Sequence, residues 1–222
     1  MTKKSRLVGV ILAVMLGSVL QARTFPETRA AAEKGDADAQ FELALYHSVG
    51  ICVKGDAAEM EKWFRKAAGQ GHIAARAYCL SEGYGVGKDP EKAAEIARPA
   101  AEAGDTGAQF CMGIHYAGKN DPEKSVFWFR KAAEQGNSWA QVFAGMAYLG
   151  IIKGIPEDPE EGARWLRKAA EQGNPMGQMM LGGCYAGGQG VPRDLNKAAY
   201  WLRQAAAQGC EPAKAALKKM GY

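Results

Sequence analysis

Apolar residues recur along the chain at the spacing of one helix face. In the last copy of the pattern, the apolar residues that follow Asp194 are Ala198, Trp201, Leu202, Ala205 and Ala206. Residues at this spacing lie on one stripe of a helix. The surrounding phrase is WFRKAAGQG at 63–71, WFRKAAEQG at 128–136, WLRKAAEQG at 165–173 and WLRQAAAQG at 201–209. The chain is therefore predicted to repeat one amphipathic helix.

Both ends of this helix carry capping signals. Each copy starts at an aspartate: Asp56, Asp89, Asp121, Asp158 and Asp194. An aspartate there accepts hydrogen bonds from the first free backbone N–H groups. In three copies proline occupies the next position, where it is tolerated. Each copy stops at a glycine, which takes the left-handed conformation that closes a helix.

The closing glycines define a repeat. They are Gly35, Gly71, Gly104, Gly136, Gly173 and Gly209, at spacings of 36, 33, 32, 37 and 36 residues. A period in the mid-thirties is typical of a solenoid of helix pairs. Residues 177–194 show the first helix of a pair best, since Gly177, Leu181 and Tyr185 share a face and Gly182 allows close approach. Consecutive pairs would bury each other's apolar stripes.

These residues carry a family resemblance. The pattern A-x3-LG-x2-Y-x2-G-x-GV-x2-D-x2-KA-x2-W-x-x-KAA-x-QG resembles the Sel-1-like repeat, a relative of the tetratricopeptide repeat. The resemblance implies an all-α, right-handed α/α solenoid of antiparallel helix pairs that serves as an adaptor or scaffold. We expect a leading helix in 23–37, five repeats within 38–210 and a capping helix in 211–222. The predicted repeats are 38–72, 74–105, 107–137, 139–174 and 176–210.

Two copies depart from the pattern. The second has Ile96 at the tryptophan position, a first helix about one turn short, and Pro99 inside its second helix, where a kink is expected. The third lacks the glycine loop and passes directly from Tyr116 to Asp121. We expect a local change in superhelix curvature there.

Residues 1–22 have the pattern of a signal peptide. Lys3, Lys4 and Arg6 precede an apolar run of 14 residues, 7–20, which is shorter than the ~20 residues of a membrane span. Ala22 is the expected last residue before cleavage, and an uncleaved anchor is the alternative. Either form predicts export to the periplasm or beyond, with no stable membrane span after cleavage.

The charge of the chain argues against nucleic acid as a partner. The whole sequence has a net charge of +4, and residues 1–22 contribute three basic and no acidic residues. The remainder is therefore near neutral, at +1. Such a chain offers no basic surface for a phosphate backbone.

The first helices of helical solenoids line the concave side, so their variable positions are candidates for binding a protein or peptide. The candidates are Glu42, Tyr78, His115, Trp139, Phe143 and Met180. Tyr78, Phe143 and Met180 would supply apolar contact, with Trp139 at the rim. Glu42 and His115 would add polar selectivity. The alternative is that these residues pack within the repeats.

Four tryptophans share one repeat position and are predicted to be structural core: Trp63, Trp128, Trp165 and Trp201. The cysteines are Cys52, Cys79, Cys111, Cys184 and Cys210. An exported chain suggests a disulfide framework, but their odd number and irregular positions favour buried free thiols. The three histidines lie in different repeats without metal-ligand spacing, so we expect neither a metal site nor a cofactor.

Enzymatic catalysis is the main alternative to a protein-binding function. Some cysteine-rich relatives in the resembled family carry a penicillin-binding or β-lactamase label, and such chemistry usually requires S-x-x-K. Ser48, Ser81, Ser125 and Ser138 have no lysine three residues later. The prediction is therefore a non-enzymatic protein-binding module. A weak β-lactam hydrolase or a purely structural spacer remain as alternatives.

Overall fold

The computed structural model describes residues 23–50, 52 and 55–222. Every regular element in these ranges is a helix. They are α1 (Phe25–Glu33), α2 (Ala37–Val49), α3 (Ala57–Gly69), α4 (Ile73–Glu82), α5 (Pro90–Glu102), α6 (Thr106–Gly118), α7 (Pro122–Glu134), α8 (Ser138–Tyr148), α9 (Pro159–Glu171), α10 (Pro175–Gly187), α11 (Leu195–Ala207) and α12 (Glu211–Lys219). The predicted signal peptide at 1–22 lies outside the described residues.

The helices stack in chain order. Each helix packs against the next one, and α4 with α6 and α8 with α10 also touch across repeats. Three-residue turns such as 70–72 and 135–137 join each second helix to the next first helix, as in antiparallel helix hairpins, whereas a longer loop at 149–158 joins α8 to α9. The predicted α/α solenoid is confirmed. Within the described ranges, no helix combines the length and apolar character needed to cross a bilayer.

The aspartates predicted to cap the second helices do so. For example, Asp121 Oδ1 accepts from the N–H of Lys124 at 3.1 Å, and Asp158 Oδ1 from that of Glu161 at 3.0 Å. The closing glycines also behave as predicted, since Gly136 has a φ of 96°. Local sequence thus determines where each second helix begins and ends.

Lysines explain why the phrase W-x-x-K recurs. The Lys168 ammonium lies 4.1 Å from the centre of the Trp165 ring, and that of Lys66 lies 4.3 Å from the Trp63 ring. A cation at this distance from the face of an aromatic ring is attracted to it. In the last copy Gln204 takes the place of the lysine, and Trp201 is half-buried, whereas the other three tryptophans of the column are buried.

The irregular copies keep their helices. α5 continues through Pro99 to Glu102, although a kink was expected at the proline. α4 has 10 residues where α2 and α6 have 13, in agreement with the shortened first helix of the second copy. In the third copy Asn120, with a φ of 56°, makes the tight turn that replaces the glycine loop.

Buried glutamines tie successive helices together. Gln178 Nε2 donates to the carbonyl of Ala170 at 3.2 Å, and its Oε1 accepts from Gln208 Nε2 at 2.9 Å. The same pair of bonds is made by Gln40 with Gln70, Gln109 with Gln135, and Gln141 with Gln172. In the second copy Arg76 and Ala103 stand at the two glutamine positions. One first helix therefore lacks this glutamine pair.

The array curves until its two ends meet. Cys52, in the loop after α2, forms a disulfide with Cys210, the residue before α12. The N–H of Phe25 donates to Gln208 Oε1 at 2.9 Å. The expectation of buried free thiols is therefore wrong for Cys52 and Cys210, because curvature brings together residues 158 apart in sequence. It holds for Cys79, Cys111 and Cys184.

Two neighbouring glycines in α10 give a matched test of close helix packing. A Cβ at position 182 would lie 2.8 Å from Leu202 Cγ, whereas a Cβ at 183 would meet nothing within 4 Å. We expect Gly182→Ala to lower the free energy of unfolding by about 1–3 kcal/mol through overpacking. Gly183→Ala is expected to raise it by about 0.5–1 kcal/mol through helix propensity. Urea unfolding measures both, and equal effects of the two variants would contradict the predicted helix contact.

Candidate functional site

A cavity of about 640 Å³ lies on the inner side of the curved array. The segment before α1, the body of α2 and the starts of α6 and α8 surround it. Its lining includes Arg23, Asp38, Glu42, Tyr46, His72 and Trp139. Its volume falls within the ~300–1,000 Å³ of typical ligand pockets. It is therefore the leading candidate for a binding site.

Two of the predicted binding residues lie in this cavity. Glu42 projects from α2, and Trp139 from the first turn of α8. The rings of Trp139 and Tyr46 meet edge to face, with centres 4.9 Å apart, and Trp139 is 4% exposed. Trp139 was expected at the rim of the binding surface. Its contact with Tyr46, across the curve of the array, makes it part of the inner wall instead.

Tyr78 and His115 lie together elsewhere. With Cys111 they line a separate cavity of about 20 Å³, which has room for a single water molecule. Tyr78 stacks on Phe64 with ring centres 4.1 Å apart, and burial raises the pKa of Tyr78 to about 12. Burial also lowers the pKa of His115. This cavity is too small for a peptide side chain.

Phe143 and Met180 pack against the core. The Phe143 ring stacks on Phe129 at 5.0 Å and meets the edge of Phe110 at 5.5 Å. Met180 is half-buried against neighbouring apolar side chains. Both contribute to packing between helices, and neither lines the large cavity. Their role in partner binding stays a prediction.

The residue after five of the six closing glycines caps the next helix, a role that the sequence analysis missed. Asp36, His72, Asp105, Asn137 and Asn174 hold this position and cap the first helices. The signal was visible, because a capping residue recurs one place after the glycine. Asp105 and Asn137 also line the large cavity, as does His72.

Hydrogen bonds fix the two basic side chains of the lining. Arg23 Nη2 donates to Asp36 Oδ2 at 2.7 Å. His72 Nδ1 accepts from the N–H of Ala75 at 3.1 Å, so its proton resides on Nε2, 3.1 Å from Asp38 Oδ1. Hydrogen bonding to His72 holds the pKa of Asp38 below its ordinary value.

The carboxyl group of Glu42 has an unusual environment. Burial raises its pKa from 4.5 to about 7, and nearby Asp38 and Asp36 act in the same direction. Arg23 and a 3.5 Å hydrogen bond from Thr28 Oγ1 oppose the shift without cancelling it. Glu42 therefore changes charge near neutral pH.

The raised pKa of Glu42 predicts how stability depends on pH. Because the folded state holds the proton more tightly, the contribution of Glu42 to stability is greatest below pH 4.5 and is lost as pH rises to about 7. Glu42→Gln should remove this slope, and at pH 8 it should raise the free energy of unfolding by about 2–3 kcal/mol. Urea unfolding at pH 4, 6 and 8 tests this, with exposed Glu95→Gln as control. Parallel profiles for wild type and Glu42→Gln would contradict it.

The free cysteines have the character of structural thiols. Burial raises the pKa of Cys79 to about 11 and also raises those of Cys111 and Cys184. Cys111 Sγ donates to the carbonyl of Ala74 at 3.4 Å. Thiols held in this protonated state are poor nucleophiles. Across the described residues, no cluster of three or more His, Cys, Asp or Glu side chains is arranged to hold a metal ion.

Comparison with known families agrees with the helix repeat. The Sel1 repeat family matches residues 37–72, 73–105, 108–137, 140–174 and 175–210. These segments cover most of the chain, which therefore belongs to the Sel1 repeat family. Proteins of this family generally mediate protein–protein interactions and are typically non-enzymatic. No protein of curated function matches the chain at a significant level.

Solved structures show the same architecture. A Sel1 repeat protein from Oxalobacter formigenes is 35% identical over 88% of this chain, with a TM-score of 0.58. A protective antigen of uropathogenic Escherichia coli with an SLR fold is 34% identical over 88% of the chain, also with a TM-score of 0.58. The matches span 58% and 44% of those two proteins. An immunity protein from Pseudomonas aeruginosa, 14% identical over 89% of this chain and 80% of its own length, has a TM-score of 0.51 and shares the fold.

Proposed function

We propose that this protein is an exported adaptor that binds a partner polypeptide in the cavity on its concave side. The observation that carries the proposal is the cavity itself, about 640 Å³ in volume and formed by first helices of several repeats. A ligand in this cavity contacts several repeats at once, so its binding depends on how those repeats are placed relative to one another. An extended segment of a partner fits this space better than a whole helix, whose diameter with side chains is ~10 Å.

We propose export on two supports. The first is the basic and then apolar sequence of residues 1–22, which is typical of a signal peptide. The second is the Cys52–Cys210 disulfide, since such bonds persist in oxidising compartments. Fractionation of cells and amino-terminal sequencing of the recovered protein test export and cleavage after Ala22. Recovery of an uncleaved chain from the cytoplasm would contradict the proposal.

Retention of a partner is the test of the binding function. Thr106, at the start of α6, lines the cavity and is half-buried, so Thr106→Trp should fill the cavity. Glu95→Trp places the same side chain at an exposed position of α5, outside the lining. We expect wild type and Glu95→Trp to retain a partner from envelope extract and Thr106→Trp to lose it. Equal retention by all three proteins would place binding elsewhere.

The proposal treats the protein as a binder without catalytic activity. Its support is the lack of S-x-x-K in the sequence and the buried, protonated state of the free thiols. A chromogenic β-lactam incubated with the purified protein tests the rival. Turnover that is saturable and lost on unfolding would replace the adaptor with a hydrolase.

A further inference from the structure

We propose that the large cavity receives the cationic side chain of a lysine or arginine carried by the bound polypeptide. The inference rests on the proposed binding function and adds the chemistry by which the partner is selected. Three features carry it: the charge of the lining, its aromatic wall and the position of Glu42.

Carboxyl groups dominate the charge of the lining. They belong to Glu27, Asp38, Glu42 and Asp105. The basic lining residues are Arg23, whose guanidinium is paired with Asp36, and His72, whose Nδ1 accepts from a backbone N–H and whose Nε2 lies 3.1 Å from Asp38 Oδ1. Within the described part of the lining, a negative potential remains. Clefts lined by one sign of charge attract ligands of the opposite sign.

Aromatic and apolar side chains complete the wall. Phe41, Leu45, Tyr46 and Trp139 all line the cavity. Lysine and arginine bury their aliphatic stems along apolar surface, and their charged heads are attracted to aromatic faces. A cavity of about 640 Å³ also has room for the flanking backbone. The combination of carboxylates and aromatic rings therefore suits a long cationic side chain better than a short polar one.

Glu42 is the carboxyl group that gains most from a cation. It is half-buried, and it accepts a long hydrogen bond of 3.5 Å from the hydroxyl of Thr28. The charged groups that face it are Arg23 from the segment before α1 and Asp36 and Asp38 from the start of α2. The two aspartates repel its charge. An incoming ammonium or guanidinium would replace the hydration that burial removes.

The helix starts around the cavity favour the opposite charge, but their effect is offset. α2, α4, α6 and α8 begin near the cavity, and helix amino termini attract anions. However, Asp36, His72, Asp105 and Asn137 already accept hydrogen bonds from first-turn N–H groups. Two of these caps add negative charge of their own. A cationic partner is therefore the better match. The experiment below includes an anionic peptide to test the opposite preference.

Three blocked tripeptides that differ at the central residue test the inference. They are acetyl-Ala-Lys-Ala-amide, the norleucine analogue, which lacks the ammonium group, and the glutamate analogue. Each is titrated into the ¹⁵N-labelled protein up to about 10 mM, with the indole N–H of Trp139 as the signal. Trp139→Phe assigns that signal. We expect the lysine peptide to shift it with at least about ten-fold tighter binding than the other two, and with weaker binding at high salt.

Variants separate charge from shape. Glu42→Gln keeps the size of the side chain and should weaken lysine-peptide binding about ten-fold, while Glu95→Gln should leave it unchanged. Equal binding of the lysine and norleucine peptides, tighter binding of the glutamate peptide, or no shift with any peptide would overturn the inference. The retention experiment with Thr106→Trp decides the proposed function independently, since it requires no particular charge on the partner.

Discussion

Replacing Cys52 and Cys210 together with serine is expected to lower the free energy of unfolding by about 4 kcal/mol under non-reducing conditions. The disulfide joins residues 158 apart, so it closes most of the described chain into one loop. Loops of this length restrict the unfolded chain strongly, which is the main source of disulfide stabilisation in the chain-entropy view. Urea unfolding of both proteins measures the difference.

A reductant supplies the control for this prediction. It should bring the stability of the wild type close to that of the double variant and leave the double variant unchanged. Cys79→Ala, which keeps the disulfide, should still respond. Thiol titration of the unfolded, unreduced wild type should find three free thiols, from Cys79, Cys111 and Cys184. Five free thiols, or a wild type that ignores the reductant, would show that the ends are not joined.

Replacing Phe129 with alanine is expected to cost about 4 kcal/mol of unfolding free energy. Phe129 is fully buried in α7, and its ring lies against Phe110 and Phe143. A Cβ at Gly113 would come within 2.5 Å of the same ring, so α6 and α7 are fitted around it. The neighbours cannot close over the lost volume without moving two helices.

Phe127 provides the matched control for Phe129. It lies two residues earlier in α7 and is 51% exposed. Phe127→Ala should therefore change the free energy of unfolding by less than about 0.5 kcal/mol. Urea unfolding of the two variants measures the contrast. Similar losses in both would mean that the third repeat turns a different face of α7 toward the core.

Local patterns determine most of the helix architecture. The aspartate at each start, the glycine at each end and the stripe between them predict second helices that agree with α3, α5, α7, α9 and α11. The glutamine pairs were equally accessible, because a glutamine stands five residues after Gly35, Gly104, Gly136 and Gly173. That column was not considered, since glutamine on a helix is ordinarily a solvent-exposed residue.

The site was less predictable than the helices. Glu42 and Trp139 line the large cavity, whereas Tyr78 and His115 share a small one and Phe143 packs against the core. Repeat position alone does not distinguish these environments, because they depend on how much each repeat rotates relative to the last. The contact of Tyr46 with Trp139 and the pairing of Cys52 with Cys210 arise from rotations summed over several repeats. The sequence of one repeat therefore does not predict this total rotation.

The missing glutamine pair in the second repeat has a consequence for how the molecule comes apart. A linear repeat array loses structure first by fraying from its two ends. Here a disulfide joins residues 52 and 210, so the helices between them have no free end, and opening within this loop must start at a contact between two internal helices. Arg76 and Ala103 mark the one such contact among the described repeats where both glutamines are absent. Amide protons of α4 should therefore exchange ahead of those in α3 and α11, the first and last helices inside the disulfide loop, and the closed part of the array would open from its interior.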